Sequence, residues 1–316
     1  MSGKKVIAII GATGAQGGSL ARAILADPAG GFAVRAITRD TSSAKAQALA
    51  AAGAELVTAN IDDEDSVAAA FAGAYGAFCV TNFWEHFSAE KEGAQVQAMA
   101  KAAKRAGLKH VVWSTLEDTR ILVPLSDDRM PTLHGKYKVP HFDGKGSSDH
   151  FFTDEGVPTT FLLTSYYWDN IIHFGMGPRR GEDGKLAFVL PMADKPMPGI
   201  AAEDIGRCAY GLFKGGDAWI GKRVGIAGEH PTGALMAQGL SAALGEEVVY
   251  NYVPPEVYRT FGFPGADDLG NMFQYYRDFA TEFAAPRSVE VSRSLNPALQ
   301  SFSAWAQANK DRIPRG

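Results

Sequence analysis

Cysteine is nearly absent. The chain has two, Cys79 and Cys208, each in apolar sequence and neither in a C-x-x-C pair. That excludes a disulfide scaffold and a paired-thiol redox motif, and leaves two core residues of a protein expected in the reducing cytoplasm. No block of Lys or Arg occurs, and 31 basic against 35 acidic residues leave a net charge of −4, so direct binding to nucleic acid through phosphates is not expected. No apolar stretch is long enough for a membrane span or a signal peptide; Met1 to Lys5 leads straight into a short strand. The seven histidines are scattered without zinc-like spacing, so no metal site is expected, and the lack of a G-x-S-x-G argues against an α/β-hydrolase. What remains is an ordinary globular composition, 46% hydrophobic and 21% charged, in a chain of 316 residues that can bury a large core or split into two lobes.

The first forty residues carry most of the information. Val6 to Ile10 is a continuous apolar run, as in a strand buried on both faces. Gly11-Ala12-Thr13-Gly14-Ala15-Gln16-Gly17 follows, Gly18-Ser19-Leu20 opens a helical pattern, and Val34 to Thr38 reads as a second strand. A glycine triplet between a buried strand and a helix points to a dinucleotide loop, because glycine lets the backbone approach a pyrophosphate while the helix N-terminus offers free N–H groups. The G-x-x-G-x-x-G spacing resembles that of extended and atypical short-chain dehydrogenases/reductases. Gly11, Thr13, Gly14, Ala15, Gln16 and Gly17 are the loop positions expected at the cofactor. The alternative is a tight βα turn with no ligand.

The alternation continues. Helices are expected over Ser42–Ala52, from the acids at Asp62–Asp65 to Ala72, over Ser88–Ala106 and over Gly144–Thr153. Strands are expected at Glu55–Thr58, Ala77–Val80, His110–Ser114 and Thr159–Leu163. This predicts an α/β fold, a Rossmann-type doubly wound parallel sheet, over residues 1–163. Beyond Leu163 prolines break the rhythm. Helices at Ala201–Phe213, Thr232–Leu244 and Asn296–Lys310, a strand at Glu247–Tyr250 and a return strand near 222–228 are read as a smaller, discontinuous α/β lobe, residues 164–316, over the strand C-termini.

Four segments together resemble the NmrA-like family of atypical short-chain dehydrogenases/reductases, over about residues 4 to 312. They are the glycine loop through Ser19, Val80 to Glu85, His141 to Gly146, and Phe261 to Phe273. The likeness is closest to the branch that contains the NADPH sensor HSCARG. It implies NADP(H) binding and a redox-responsive regulator that acts through protein partners.

The second strand ends Thr38-Arg39-Asp40. Arg39 offers a planar charged fork for a 2′-phosphate, whereas Asp40 could bond a ribose; NADP(H) is favoured over NAD(H). The resemblance implies further contacts. Asn60 and Ile61 would lie by the adenine, although the family more often has Asp at the first of these. Thr81, Asn82 and Phe83 would approach the central phosphates and nicotinamide ribose. Ser165, Tyr166, Tyr167 and Trp168 would line the nicotinamide, with core packing an equal alternative for Trp168.

Active short-chain reductases use Tyr-x-x-x-Lys, whose spacing sets both side chains on one helical face so that the lysine lowers the phenol pKa. Here the place reads His141-Phe142-Asp143-Gly144-Lys145, with Ser114 or Thr115 as the hydroxyl. Lys145 either binds the ribose or donates the proton, and His141 is either a proton source or a helix-start or surface histidine. Tyr210-x-x-x-Lys214 fits the pattern by chance, and Tyr137 lies two turns before Lys145 with Pro140 between.

Two functions are expected. The first is a cytoplasmic NADP(H) sensor whose loops at Arg39–Ser43 and Thr81–Phe87 order around the dinucleotide and signal to a protein partner. The alternative is an NADPH-dependent reductase of a small carbonyl, quinone or enone, with an apolar pocket around Tyr166, Tyr167, Trp168, Phe174 and Phe273. The pocket residues are equally explained as lobe core. A homodimer fits either reading, and the sequence names no surface for it.

Overall fold

Each predicted strand of the first half forms, and each is followed by a helix or turn that carries the chain back across the sheet. The computed structural model describes residues 3–316. The first half contains β1 (Lys5–Ile9), α1 (Ala15–Leu25), β2 (Phe32–Thr38), α2 (Ala44–Ala51), β3 (Glu55–Thr58) and α3 (Glu64–Phe71). It continues with β4 (Gly76–Cys79), α4 (Ala89–Arg105), β5 (His110–Thr115), α5 (Pro140–Gly146), α6 (His150–Asp154) and β6 (Thr159–Leu163). The helices start where polar side chains can hold their free N–H groups. Ser43 caps α2, Asp63 caps α3 and Ser88 caps α4, each accepting from the first turn.

The second half adds β7 (Tyr166–Tyr167), α7 (Asn170–His173), β8 (Arg179–Arg180), β9 (Leu186–Leu190), β10 (Gly199–Ile200) and α8 (Ala202–Gly215). Next come β11 (Arg223–Gly225), α9 (Gly233–Leu244), β12 (Val248–Tyr252), α10 (Pro255–Tyr258), α11 (Ala266–Asp278), α12 (Ala280–Ala284), α13 (Val289–Leu295) and α14 (Phe302–Asn309).

Seven strands pair in parallel in the order β11-β6-β5-β4-β1-β2-β3. The return strand thus joins the sheet beside β6, with Val224 in register with Leu162. The strand order reverses beside β1, between β2 and β4, which opens a crevice at the strand C-termini. One face is packed by α1 and α8 around Leu20, Ile24, Ile205 and Phe213, the other by α3 and α4 around Phe71, Val96, Met99 and Trp113. A third core, around Trp168, Phe188, Met236, Phe273 and Trp305, also takes in Val139 and Phe142 from the first half. Segments on both sides of residue 163 therefore share cores.

Some bounds differ from those expected. Helix α1 begins at Ala15, inside the glycine motif rather than after it. Pro140 starts α5 early, because proline suits the first helical turn, and the chain then breaks at 147–149 before α6. The tail is helical only from Phe302. Ahead of it, Asn296 Nδ2 and the Gln300 backbone N–H both donate to buried Asp204, each at 2.9 Å, which holds 296–300 out of a helix. Strand β12 forms where a strand was expected, at Val248–Tyr252, but its partners β9 and β8, the β10-β7 pair and helix α11 were not foreseen.

Candidate functional site

The glycine loop turns sharply at Gly11, whose φ of +63° favours glycine, and Gly14 N–H donates to Gly11 O at 2.8 Å. A Cβ at Gly17 would lie 2.5 Å from Gly11 O, so glycine there lets the helix press onto the turn. The first i→i−4 bond of α1 is Gly18 N–H to Gly14 O. The amides of Ala15, Gln16 and Gly17 therefore have no intrahelical acceptor. Among the described helices of eight residues or more, α1 alone has neither a side-chain cap nor an acid in its first turn. These amides and the helix dipole can hold an anion, and Thr13 stands half-buried beside them.

The rim is charged. Arg39, exposed after β2, ion-pairs with Glu85 in the short turn after β4. Asp40 is turned to its own loop: its carboxylate accepts from Ser42 Oγ at 2.6 Å and Ser42 N–H at 2.8 Å, which hold it below the usual carboxylate range. Asn60 Oδ1 accepts from Asp62 N–H at 3.1 Å, and Ile61 packs half-buried beside the α3 core. Asn82 is exposed, and Phe83 is buried beneath it.

Under the crevice lies a buried polar cluster. Lys145 Nζ donates to Thr81 Oγ1 at 2.6 Å, and Thr81 Oγ1 donates to Glu92 Oε1 at 2.7 Å. The ammonium also stands 3.3 Å from Glu92 and 4.9 Å from the centre of the Trp113 ring. Glu92 Oε2 has no hydrogen-bond partner. Sequence reasoning missed Glu92, whose only sign was an acid in the first turn of α4. The Thr115 hydroxyl donates to Asp149, which leaves Ser114, buried at the end of β5, as the uncommitted hydroxyl. Burial raises the Asp149 carboxyl despite its bonds to Thr115, Arg223 and Trp113.

His141 stands in the first turn of α5, as a helix-start residue, and is buried there at 7% exposure rather than on the surface. Its Nδ1 lies 2.5 Å from Asp268 Oδ1, and its backbone N–H donates to Asp268 Oδ2 at 3.2 Å. The rings of Trp84 and Phe83 stand 4.8 and 5.9 Å away. Asp268 opens α11, within the fourth segment of the family pattern, yet nothing in its local sequence linked it to His141.

Gln16 bridges to the second lobe, donating from Nε2 to Tyr167 Oη at 2.6 Å. Burial pushes Tyr167 up to about 12. Gln16 Oε1 and Ser165 Oγ are buried near this bridge without partners, as polar atoms facing a ligand would be. Tyr166 donates to Met176 Sδ and packs on Phe273, in the third core. Trp168 is fully enclosed against Phe302 and Trp305, which is the packing alternative. Buried Arg287, also missed, grips Glu117 at 2.5 and 2.9 Å and the Thr164 carbonyl at 2.8 Å, and so supports the strand end that carries Ser165. Tyr210 donates to Asp27 beyond the C-terminus of α1, at the far end of the sheet from the glycine loop. Tyr137 donates to Glu90 at 3.0 Å.

Comparison with known proteins yields the same architecture. A model of the NmrA-like family matches residues 3–305. The NmrA-like family domain-containing oxidoreductase FrzB of Cladobotryum sp. is 29% identical over 310 residues, covering 90% of this chain and 88% of its own. The corresponding oxidoreductase malD of Malbranchea aurantiaca is 31% identical over 259 residues, covering 79% and 76%. The crystal structure of NmrA, a negative transcriptional regulator, matches with a TM-score of 0.80 at 26% identity, over 96% of this chain and 95% of that one. That regulator has also been crystallised with NAD and with NADP. Among the described residues, no helix is long and apolar enough to cross a membrane.

Proposed function

The chain belongs to the NmrA-like family, and from that premise we propose that it binds NADP(H) in the crevice above β1 and β4 and acts as an oxidoreductase. The observation that carries this reading is the open first turn of α1, with its three amides lacking acceptors, set opposite the buried Lys145–Thr81–Glu92 cluster. Bound NADPH would supply a hydride to a small carbonyl, quinone or enone. The chain's own part is to hold the pyrophosphate on the amides of Ala15, Gln16 and Gly17, and to set Thr81 and Lys145 beneath the nicotinamide ribose. Arg39 takes the 2′-phosphate, and Asp40, occupied by Ser42, is not available to select NAD. Residues 1–163 supply the cofactor half and 164–316 most of the substrate side, in a cytoplasmic protein.

A sensor of the HSCARG type is the second reading. It is favoured by the Arg39–Glu85 pair, which joins the loop after β2 to the turn after β4 and would compete with a phosphate for the guanidinium. A ligand that opens it can bias two conformations only by binding them unequally. Absorbance decay of NADPH against a panel of quinones, enones and aldehydes separates the two readings. Turnover supports the oxidoreductase; tight NADPH binding with no turnover across the panel leaves the sensor.

A further inference from the structure

The short-chain reductase pattern places a phenol four residues before the lysine, and this chain has His141 there. Two facts decide what that imidazole can do. The first is that Lys145 is spent: its ammonium bonds Thr81 Oγ1 at 2.6 Å and lies 3.3 Å from Glu92, and the residue as a whole is only 9% exposed. A lysine so paired is poorly placed to give up a proton. The second is that Asp268 holds His141 at two points, through Nδ1 and through the backbone N–H. A carboxylate only accepts hydrogen bonds, so Nδ1 carries the proton and Nε2 is left as the exchangeable nitrogen. Among the described residues, Nε2 has no hydrogen-bond partner. His141 and Lys145 share one face of α5 at the i, i+4 spacing, and Lys145 reaches the end of β4. The Trp84 and Phe83 rings, also from the end of β4, wall the imidazole with apolar surface.

We propose that His141 is the general acid of this oxidoreductase, that Asp268 is its positioning residue, and that the substrate is an apolar carbonyl compound that packs against Trp84. The inference rests on the oxidoreductase reading above. In the step, the carbonyl carbon receives the hydride that NADPH supplies, the C=O π bond breaks, and its oxygen takes the proton from Nε2 of the imidazolium. Asp268 stays a carboxylate, and water reprotonates the neutral imidazole. This is the aspartate–histidine arrangement of other enzymes, used here for proton donation rather than for activating a nucleophile. The ionisable side chains on the elements around His141 include Asp143 and Lys145 of α5, Glu90, Lys91 and Glu92 at the start of α4, Asp267 and Asp268 at the start of α11, Glu85 and His86 after β4, and Lys136, Tyr137 and Lys138 ahead of α5.

The test uses the full chain with NADPH. His141→Gln is expected to bind NADPH as wild type does and to lose about a hundredfold or more in kcat against a carbonyl that wild type reduces. Asp268→Asn should lose about tenfold or more and shift the alkaline limb of kcat/KM to lower pH, with partial recovery in Asp268→Glu. A purely structural Asp268 would lower thermal stability without moving that limb, and this result overturns the proposal. So does full turnover in His141→Gln. If wild type binds NADPH but reduces nothing, the oxidoreductase reading fails, and imidazole nitrogen NMR judges the dyad alone. A neutral His141 with its proton on Nδ1, dependent on Asp268, upholds the arrangement; a neutral ring whose single proton sits on Nε2 overturns it.

Discussion

Lys145 Nζ lies 3.3 Å from Glu92 Oε1 in an ion pair sealed beneath the crevice, with Glu92 wholly buried. Thr81, from the end of β4, bonds both partners, so the pair ties α4 and α5 to the strand end.

Removing one partner strands the other charge in a low dielectric. Glu92→Ala is therefore expected to cost about 3–5 kcal/mol, read by urea unfolding, and Glu92→Gln less. A loss under about 1 kcal/mol would mean that the ammonium escapes to water and that the pair does not organise the site.

On the proposed reading, Arg39 sets cofactor choice by taking the 2′-phosphate. Losing a charge-assisted contact costs about 1.5–3 kcal/mol, so Arg39→Ala should weaken NADP binding roughly ten- to hundredfold by calorimetry and leave NAD nearly unchanged. Glu85→Gln frees the guanidinium from an exposed pair worth about 1 kcal/mol at most, and should tighten NADP by up to roughly fivefold. Equal losses of both coenzymes in Arg39→Ala would refute this role.

Gly17→Ala sets a Cβ 2.5 Å from the Gly11 carbonyl oxygen, a backbone atom that cannot swing aside. The helix must lift from the turn. Dinucleotide binding should fall by more than an order of magnitude while Gly3→Ala, whose added Cβ meets nothing within 4 Å, leaves it unaltered. Titration of both variants, with thermal melts, checks the contrast.

Stability should depend on pH through His110. Its ring is fully enclosed at the start of β5, with Nε2 at 2.8 Å from Thr160 Oγ1, and burial pushes its pKa down to about 4. The unfolded chain takes up this proton near pH 6.5, whereas the folded protein resists until about pH 4. Stability from this residue is thus present above pH 6.5 and lost as the pH falls through that window, by about 3 kcal/mol in all. Urea melts from pH 7 to pH 4 should show a shallower decline in His110→Gln; parallel declines would assign the acid sensitivity elsewhere.

The β/α alternation, the glycine turn and the helix start at the acids Asp62–Asp65 were legible in the sequence because each depends on residues a few positions apart. Hydrophobic run, turn chemistry and helix start are local properties, and they sufficed to specify the parallel sheet, the return strand near Arg223 and the loop at the head of α1. The strands β7, β8 and β10 were not legible, since two residues have no periodicity and pair only when the lobe has closed. The site divides in the same way. Arg39 and Lys145 could be picked out by position, but their partners could not. Glu92 reads as an ordinary helix-start acid until folding buries it against Lys145, and Asp268 meets His141 across a sequence separation of 127 residues. Whether a charged side chain ends in water or against a counter-charge depends on which elements pack over it, and only the folded chain decides that.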